Sequence, residues 1–137
     1  MEQRRVLFLC TGNSCRSQMA EGWVRHLLPG IFHAESAGIS PHGVNTTAIE
    51  VMAEAGVDIS GHRSSDVAEF DLETFDVVVT VCDNAQERCP VVPAPVRVVH
   101  QAFDDPPAVD GTDEEVLDVY RRVRDEIAAF VKRLPEI

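Results

Sequence analysis

The segment VLFLCTGNSCRSQMAEGW, Val6–Trp23, is the part of the sequence that decides the fold. It begins with a short, continuous apolar run, Val6–Leu9, of the kind that forms a buried parallel strand. A polar loop from Cys10 to Arg16 follows, and from Ser17 onward apolar residues recur at helical spacing. The segment therefore predicts a strand, a tight loop and a helix in direct succession.

The rest of the chain repeats the alternation of strands and helices. Three further segments have the β-branched or apolar composition of strands: Ile31–Ala37, Phe75–Val81 and Val96–Val99. Asn45 is placed to cap a helix that ends near Ala55, and Thr112 with Glu115 forms a capping box before a long amphipathic helix. This alternation predicts a single α/β domain over residues 1–137, with a four-stranded parallel sheet flanked by helices.

Composition limits the classes of function. The 137 residues are 45% hydrophobic, which is enough for one packed core, and the net charge of −11 argues against nucleic-acid binding. No apolar run approaches the ~20 residues of a membrane span, and residues 1–9 do not resemble a signal peptide. We therefore expect a cytoplasmic monomer that binds neither nucleic acid nor membrane. In the cytoplasm the four cysteines should be reduced in the resting protein. They are then inert, bind a metal or take part in the chemistry.

The loop between the first strand and the first helix has the features of an anion-binding site. Backbone N–H groups of such a loop and the helix N-terminus together favour a bound oxyanion. Gly12 and Asn13 tolerate the backbone angles that a tight loop requires, and Arg16 offers a planar fork for two oxygens. Because the same donors favour thiolate over thiol, we predict that Cys10 is a nucleophile that attacks the bound oxyanion.

The sequence CTGNSCRS, Cys10–Ser17, resembles the active-site loop of the low-molecular-weight protein tyrosine phosphatase superfamily, which contains phosphatases and arsenate reductases. The resemblance implies the fold of that superfamily. It also implies that the loop residues bind the oxyanion: Thr11, Gly12, Asn13, Ser14, Cys15, Arg16 and Ser17. Asn13 would brace the loop, Ser17 would donate a hydrogen bond to the Cys10 thiolate, and Asp105 of the pair Asp105-Pro106 would be the general acid.

Cys82 and Cys89 favour the reductase branch, because reduction needs electrons that thiols can supply. Their arrangement resembles that of the thioredoxin-coupled arsenate reductases, with arsenate as substrate and phosphate or sulfate as competitors. The resemblance implies that Cys10 attacks arsenate, that Cys82 then attacks Cys10, and that a Cys82–Cys89 disulfide is left for thioredoxin. If the Cys82–Cys89 segment were helical it would span ~10.5 Å, whereas a disulfide needs Cα atoms within ~7 Å. We therefore expect the segment to unwind when this disulfide forms.

Two alternatives to the reductase stay open at this point. One is a tyrosine phosphatase that hydrolyses phosphate monoesters through a Cys10 phosphocysteine, with Arg16 and Asp105. Against it, Pro107-Ala108 follows the Asp-Pro pair where such phosphatases usually carry tyrosines. The other is a non-catalytic sensor in which the loop only binds an anion.

We expect neither cofactor nor metal. Some relatives hold a potassium ion with residues that match Asn13, Glu21 and Ser36, but a cationic Arg63 would compete with it here. On its own, Glu21 is expected to be a solvated helix residue. The histidines, His42 among them, show no metal-ligand spacing and are expected at the surface.

Overall fold

The computed structural model describes residues 3–82 and 96–137. Four strands lie in this part of the chain: β1 (Arg4–Cys10), β2 (Phe32–Gly38), β3 (Val77–Thr80) and β4 (Val98–His100). The α-helices described are α1 (Arg16–Leu27), α2 (Thr46–Glu54) and α3 (Asp113–Arg133). Short 3-10 turns lie at Val67–Glu69, Leu72–Thr74, Pro106–Ala108 and Leu134–Glu136. No helix in these described ranges is both long enough and apolar enough to cross a membrane.

The sheet is parallel throughout, with strand order β2-β1-β3-β4. Its register pairs Cys10 with Gly38 and Leu9 with Thr80, and Thr80 with His100. The α/β fold with a four-stranded parallel sheet that the sequence predicts is thus confirmed. Because parallel strands end at one edge, the residues that follow β1 and β3 come together there.

The apolar run of β1 is continuous because both faces of the sheet are covered. Val6 and Phe8 belong to one core cluster, which they share with α1 and α3 residues such as Met19 and Ile127. Leu7 and Leu9 belong to a second cluster on the other face, and all four strand residues are completely buried. Fixing β1 in the middle of the sheet gives the loop that follows it a rigid base.

The predicted helix caps are present. The Asn45 side chain accepts a 2.9 Å hydrogen bond from the N–H of Ala48, and Thr112 and Glu115 bond reciprocally at 3.2 Å. Each of the four strands differs from the prediction by one or two residues at its ends. β3 begins at Val77 because the Phe75 N–H closes a 3-10 turn on Leu72, and β4 covers Val98–His100.

Candidate active site

A cavity of about 180 Å³ opens where the loop leaves β1 and enters α1. Its walls combine loop residues with two other segments: Cys10, Thr11, Gly12, Ser14, Cys15, Arg16, His42, Asp105 and Pro107. Asn13 adopts a positive φ of 44°, which a tight loop of this kind requires and which asparagine tolerates. The structure therefore brings Cys10, Arg16 and Asp105 to one small cavity, although Asp105 is far from the loop in sequence.

A chain of hydrogen bonds ends at the Cys10 sulfur. The N–H of Ser65 donates to Asn13 Oδ1 at 2.7 Å, and Asn13 Nδ2 donates to Ser17 Oγ at 2.9 Å. Ser17 Oγ lies 2.9 Å from Cys10 Sγ. Because the Ser17 oxygen already accepts from Asn13, its hydroxyl hydrogen is left to donate to the sulfur. All of these side chains are buried, so the hydrogen bond from Ser17 to the Cys10 sulfur is shielded from water.

Arg16 is held by groups from two other segments. Its side chain is 4% exposed, and Nη1 donates to the carbonyls of Val81 at 3.4 Å and Phe103 at 3.2 Å. Nη2 lies 3.5 Å from Asp105 Oδ1. These contacts fix the guanidinium plane at the cavity and place the Asp105 carboxyl beside it.

The two neighbouring aspartates have different surroundings. Asp105 lines the cavity and its side chain is 37% exposed, which leaves it open to solvent and to a bound substrate. The Asp104 carboxylate instead forms a 2.9 Å ion pair with Arg122 of α3. The geometry therefore makes Asp105, rather than Asp104, available to protonate a leaving oxygen.

The described cysteines are in different states. Cys10 and Cys15 are free thiols, whereas Cys82 is disulfide-bonded. Burial raises the pKa of Cys15 strongly, so its thiol stays protonated at neutral pH. Cys82 is completely buried and follows Val81, whose N–H bonds to the carbonyl of Leu9 on the neighbouring strand. Cys89, and the unwinding expected between it and Cys82, lie outside the described residues.

Glu21 is buried, at 5% exposed, and the expectation of a solvated helix residue is wrong. The face of α1 that carries it packs against β2, where Ser36 Oγ donates to Glu21 Oε1 at 2.6 Å. Arg25 Nη2 lies 2.9 Å from Glu21 Oε2. Burial raises the pKa of Glu21, in opposition to these two partners. Both carboxylate oxygens are therefore engaged by groups of the chain itself.

Two further residues that bear on the potassium site of some relatives, Asn13 and Arg63, also have partners within the chain. Asn13 Oδ1 accepts the Ser65 N–H, as described above. Arg63 pairs with Glu69 on the rim of a cavity of about 350 Å³ that Glu21 and Ser36 also line. Within the described ranges, no group of three or more histidine, cysteine, aspartate or glutamate side chains is arranged to hold a metal ion.

His42 is exposed, as the sequence predicts for the histidines, but it also lines the cavity beside Cys10, which the sequence does not predict. Nothing in its sequence context distinguishes it, because its position depends on the contact between its loop and Gly12. That contact is visible only once the chain is folded.

Comparisons with known proteins support the fold. The profile of a family described as low molecular weight phosphotyrosine protein phosphatase matches residues 5–136. A relative from Bacillus licheniformis, named arsenate reductase, is 47% identical over 137 residues, which cover 99% of this chain and 98% of the relative.

Two solved structures are also similar over nearly the whole chain. One is described as an arsenate reductase in the phosphate binding state, with a TM-score of 0.76, 33% identity and 96% of each chain covered. The other is a low molecular weight protein tyrosine phosphatase from T. tengcongensis, with a TM-score of 0.78 and 29% identity. The match covers 98% of this chain and 99% of the phosphatase chain.

Proposed function

The chain belongs to the low molecular weight phosphotyrosine protein phosphatase family, and we propose that within it the chain is an arsenate reductase that works by a cysteine relay. The observation that carries the proposal is the position of Cys82. It follows the strand that pairs with β1, and Cys10 is the last residue of β1. A hydrolase needs only Cys10, whereas a reductase needs a second thiol close enough to attack it.

In the first step the Cys10 thiolate attacks the arsenic atom of bound arsenate. Loop N–H groups and Arg16 hold the oxygens, and Asp105 protonates the oxygen that leaves as water. The product is a Cys10–arsenic(V) adduct. The Ser17 hydroxyl, 2.9 Å from Sγ, favours the thiolate before the attack.

In the second step the Cys82 thiolate attacks Cys10 Sγ. A Cys10–Cys82 disulfide forms, the sulfur–arsenic bond breaks, and its electron pair stays on arsenic, which leaves as arsenite. The register pairs Leu9 with Thr80, so Cys82 lies one residue beyond the position opposite Cys10. Adjacent strands lie about 4.8 Å apart and successive residues about 3.3 Å, which is compatible with the ~7 Å between Cα atoms that a disulfide allows.

In the third step Cys89 attacks Cys82 Sγ and releases the Cys10 thiolate. The resulting Cys82–Cys89 disulfide is reduced by thioredoxin, a dithiol that takes up the oxidation in the same kind of exchange. The disulfide-bonded state of Cys82, with Cys10 and Cys15 free, supports an oxidised form in which the nucleophile is already regenerated. Thioredoxin as the partner, a monomeric state and a cytoplasmic location are parts of this proposal.

We also propose that the enzyme needs no potassium ion. The side chains matching the site of some relatives do not fit a cation here, because the Arg25 guanidinium and the Ser36 hydroxyl already engage the Glu21 carboxylate. Replacing KCl by NaCl at constant ionic strength should leave kcat and KM for arsenate unchanged. An increase in activity specific to potassium would contradict this point alone.

A side-by-side assay distinguishes the reductase from its alternatives. Arsenate-dependent NADPH oxidation is followed with thioredoxin and thioredoxin reductase, beside hydrolysis of an aryl phosphate. We expect the wild type to oxidise NADPH, and Cys82→Ser to lose this turnover while keeping weak phosphatase activity. A phosphatase would hydrolyse the ester well and be unaffected by Cys82→Ser, and a sensor would show neither activity.

A further inference from the structure

The catalytic cavity has a deficit of positive charge. Arsenate near neutral pH carries about two negative charges, like a phosphate monoester. Among the described residues that line the cavity, Arg16 is the permanent cation, and it supplies one positive charge. The Cys10 thiolate adds a further negative charge. A further hydrogen-bond donor besides the loop amides and Arg16 would therefore stabilise a dianion in this cavity.

His42 is placed to supply that donor. Its ring lies against Gly12, so closely that a Cβ on Gly12 would come within 2.2 Å of His42 Nε2. His42 also lines the cavity, and no described residue makes a side-chain hydrogen bond with its imidazole. The exposed His42 side chain is thus at the wall of the cavity, with Nε2 beside Gly12 and without a competing partner in the described part of the chain.

The segment that carries His42 is fixed to the loop by its backbone. The N–H of Ser40 donates to the Thr11 carbonyl at 2.9 Å, that of His42 to Gly12 at 3.2 Å, and that of Asn45 to Ser14 at 2.9 Å. Gly43, at a φ of 96°, makes the turn that follows. The backbone of His42 is therefore fixed relative to the loop amides, which shortens the search of the ring for a bound anion.

From this geometry we infer that His42 is a substrate-binding residue whose Nε2–H donates a hydrogen bond to an outer oxygen of the bound oxyanion. The inference rests on the proposed function for the identity of the substrate, but the contact itself requires only a tetrahedral oxyanion. It also explains Gly12: any side chain at that position would displace the ring from the cavity wall.

The test is a pair of variants whose new side chains have similar lengths. His42→Gln keeps an N–H donor near the position of Nε2, whereas His42→Met keeps the length and removes the donor. Binding of inorganic phosphate and of arsenate is measured by calorimetry in a Cys10→Ser background, and kcat and KM for arsenate in the otherwise unaltered chain. His33→Met is the matched control, since His33 is a half-buried histidine on β2 that pairs with Glu35 outside the cavity.

We expect His42→Met to weaken phosphate binding about tenfold or more, the usual effect of losing a hydrogen bond to a charged group. KM for arsenate should rise by a similar factor while kcat changes little, and His42→Gln should remain within about threefold of the wild type. The control should bind phosphate normally. Equal binding by all three variants, or equal losses in His42→Met and His42→Gln, would overturn the inference.

The same experiment separates the inference from the proposed function. If the wild type shows no arsenate turnover but His42→Met still loses phosphate affinity, the reductase proposal fails and the role of His42 stands. If the wild type reduces arsenate and His42→Met binds phosphate normally, only the role of His42 fails. Thermal midpoints measured for each variant show whether the loop has kept its fold.

Discussion

Ser17→Ala is the substitution that tests how the Cys10 thiolate is stabilised. The Ser17 hydroxyl lies 2.9 Å from Cys10 Sγ, and Ser17 and Cys10 are 0% and 2% exposed, so water cannot replace the lost donor. A hydrogen bond to a charged group contributes about 1.5–3 kcal/mol, and 1.4 kcal/mol corresponds to tenfold. The variant should therefore slow the attack of the Cys10 sulfur by about tenfold to a hundredfold.

The assay is alkylation of Cys10 by iodoacetamide at pH 7, followed by mass spectrometry of the peptide that contains it, beside kcat/KM for arsenate. Ser64→Ala is the matched control, because the Ser64 hydroxyl donates to the Asn13 carbonyl at 2.9 Å and braces the same loop without this contact to the sulfur. We expect Ser64→Ala to react at nearly the wild-type rate. If Cys10 is alkylated in Ser17→Ala as fast as in the wild type, or if Ser64→Ala slows the alkylation by as much as Ser17→Ala, the hydrogen-bond argument is wrong.

Three further predictions concern the acid, the loop and the buried carboxyl. Asp105→Asn should lower kcat about 10²–10⁴-fold. Asp104→Asn loses only a surface ion pair and should leave kcat nearly unchanged. Equal losses of kcat in the two variants would refute Asp105 as the general acid. Gly38→Ala should lower the thermal midpoint by several degrees, because the new Cβ would come within 2.6 Å of the Thr11 carbonyl oxygen. Gly30→Ala places its Cβ in open space and should leave the midpoint unchanged. Similar midpoints for the two variants would contradict this packing. Burial raises the pKa of Glu21, so the stability of the native state should fall as pH rises from 4.5 through that raised pKa. Glu21→Gln should flatten this dependence of stability on pH. If the urea midpoints of the wild type and the variant change in parallel with pH, the Glu21 carboxyl is not responsible.

The sequence predicts the parts of the structure that depend on local patterns. The strand, loop and helix of Val6–Trp23 could be read because the apolar run, the loop residues and the helical spacing are adjacent in the chain. The caps at Asn45 and Thr112 follow from residue type and position alone. The exact ends of β3 and β4 could not be read, because they depend on which backbone groups are already engaged by a neighbouring turn.

Contacts between distant segments could not be predicted from the residues themselves. The approach of His42 to Gly12 depends on the path of the chain after β2, and the burial of Glu21 depends on how α1 packs against that strand. Asp105 was selected over Asp104 only by resemblance, since both precede a turn. The structure separates them by their partners, Arg16 for one and Arg122 for the other.

The central claim is that oxidation passes from the first sulfur to a disulfide of the other two. It is tested most directly by a single turnover of the fully reduced chain with arsenate and no external reductant, followed by alkylation and mass mapping of the disulfides. The relay predicts a peptide pair joined through Cys82 and Cys89, with Cys10 alkylated, and in Cys89→Ser a trapped Cys10–Cys82 pair. Arsenite formed without either linkage, or no arsenite formed at all, would contradict it.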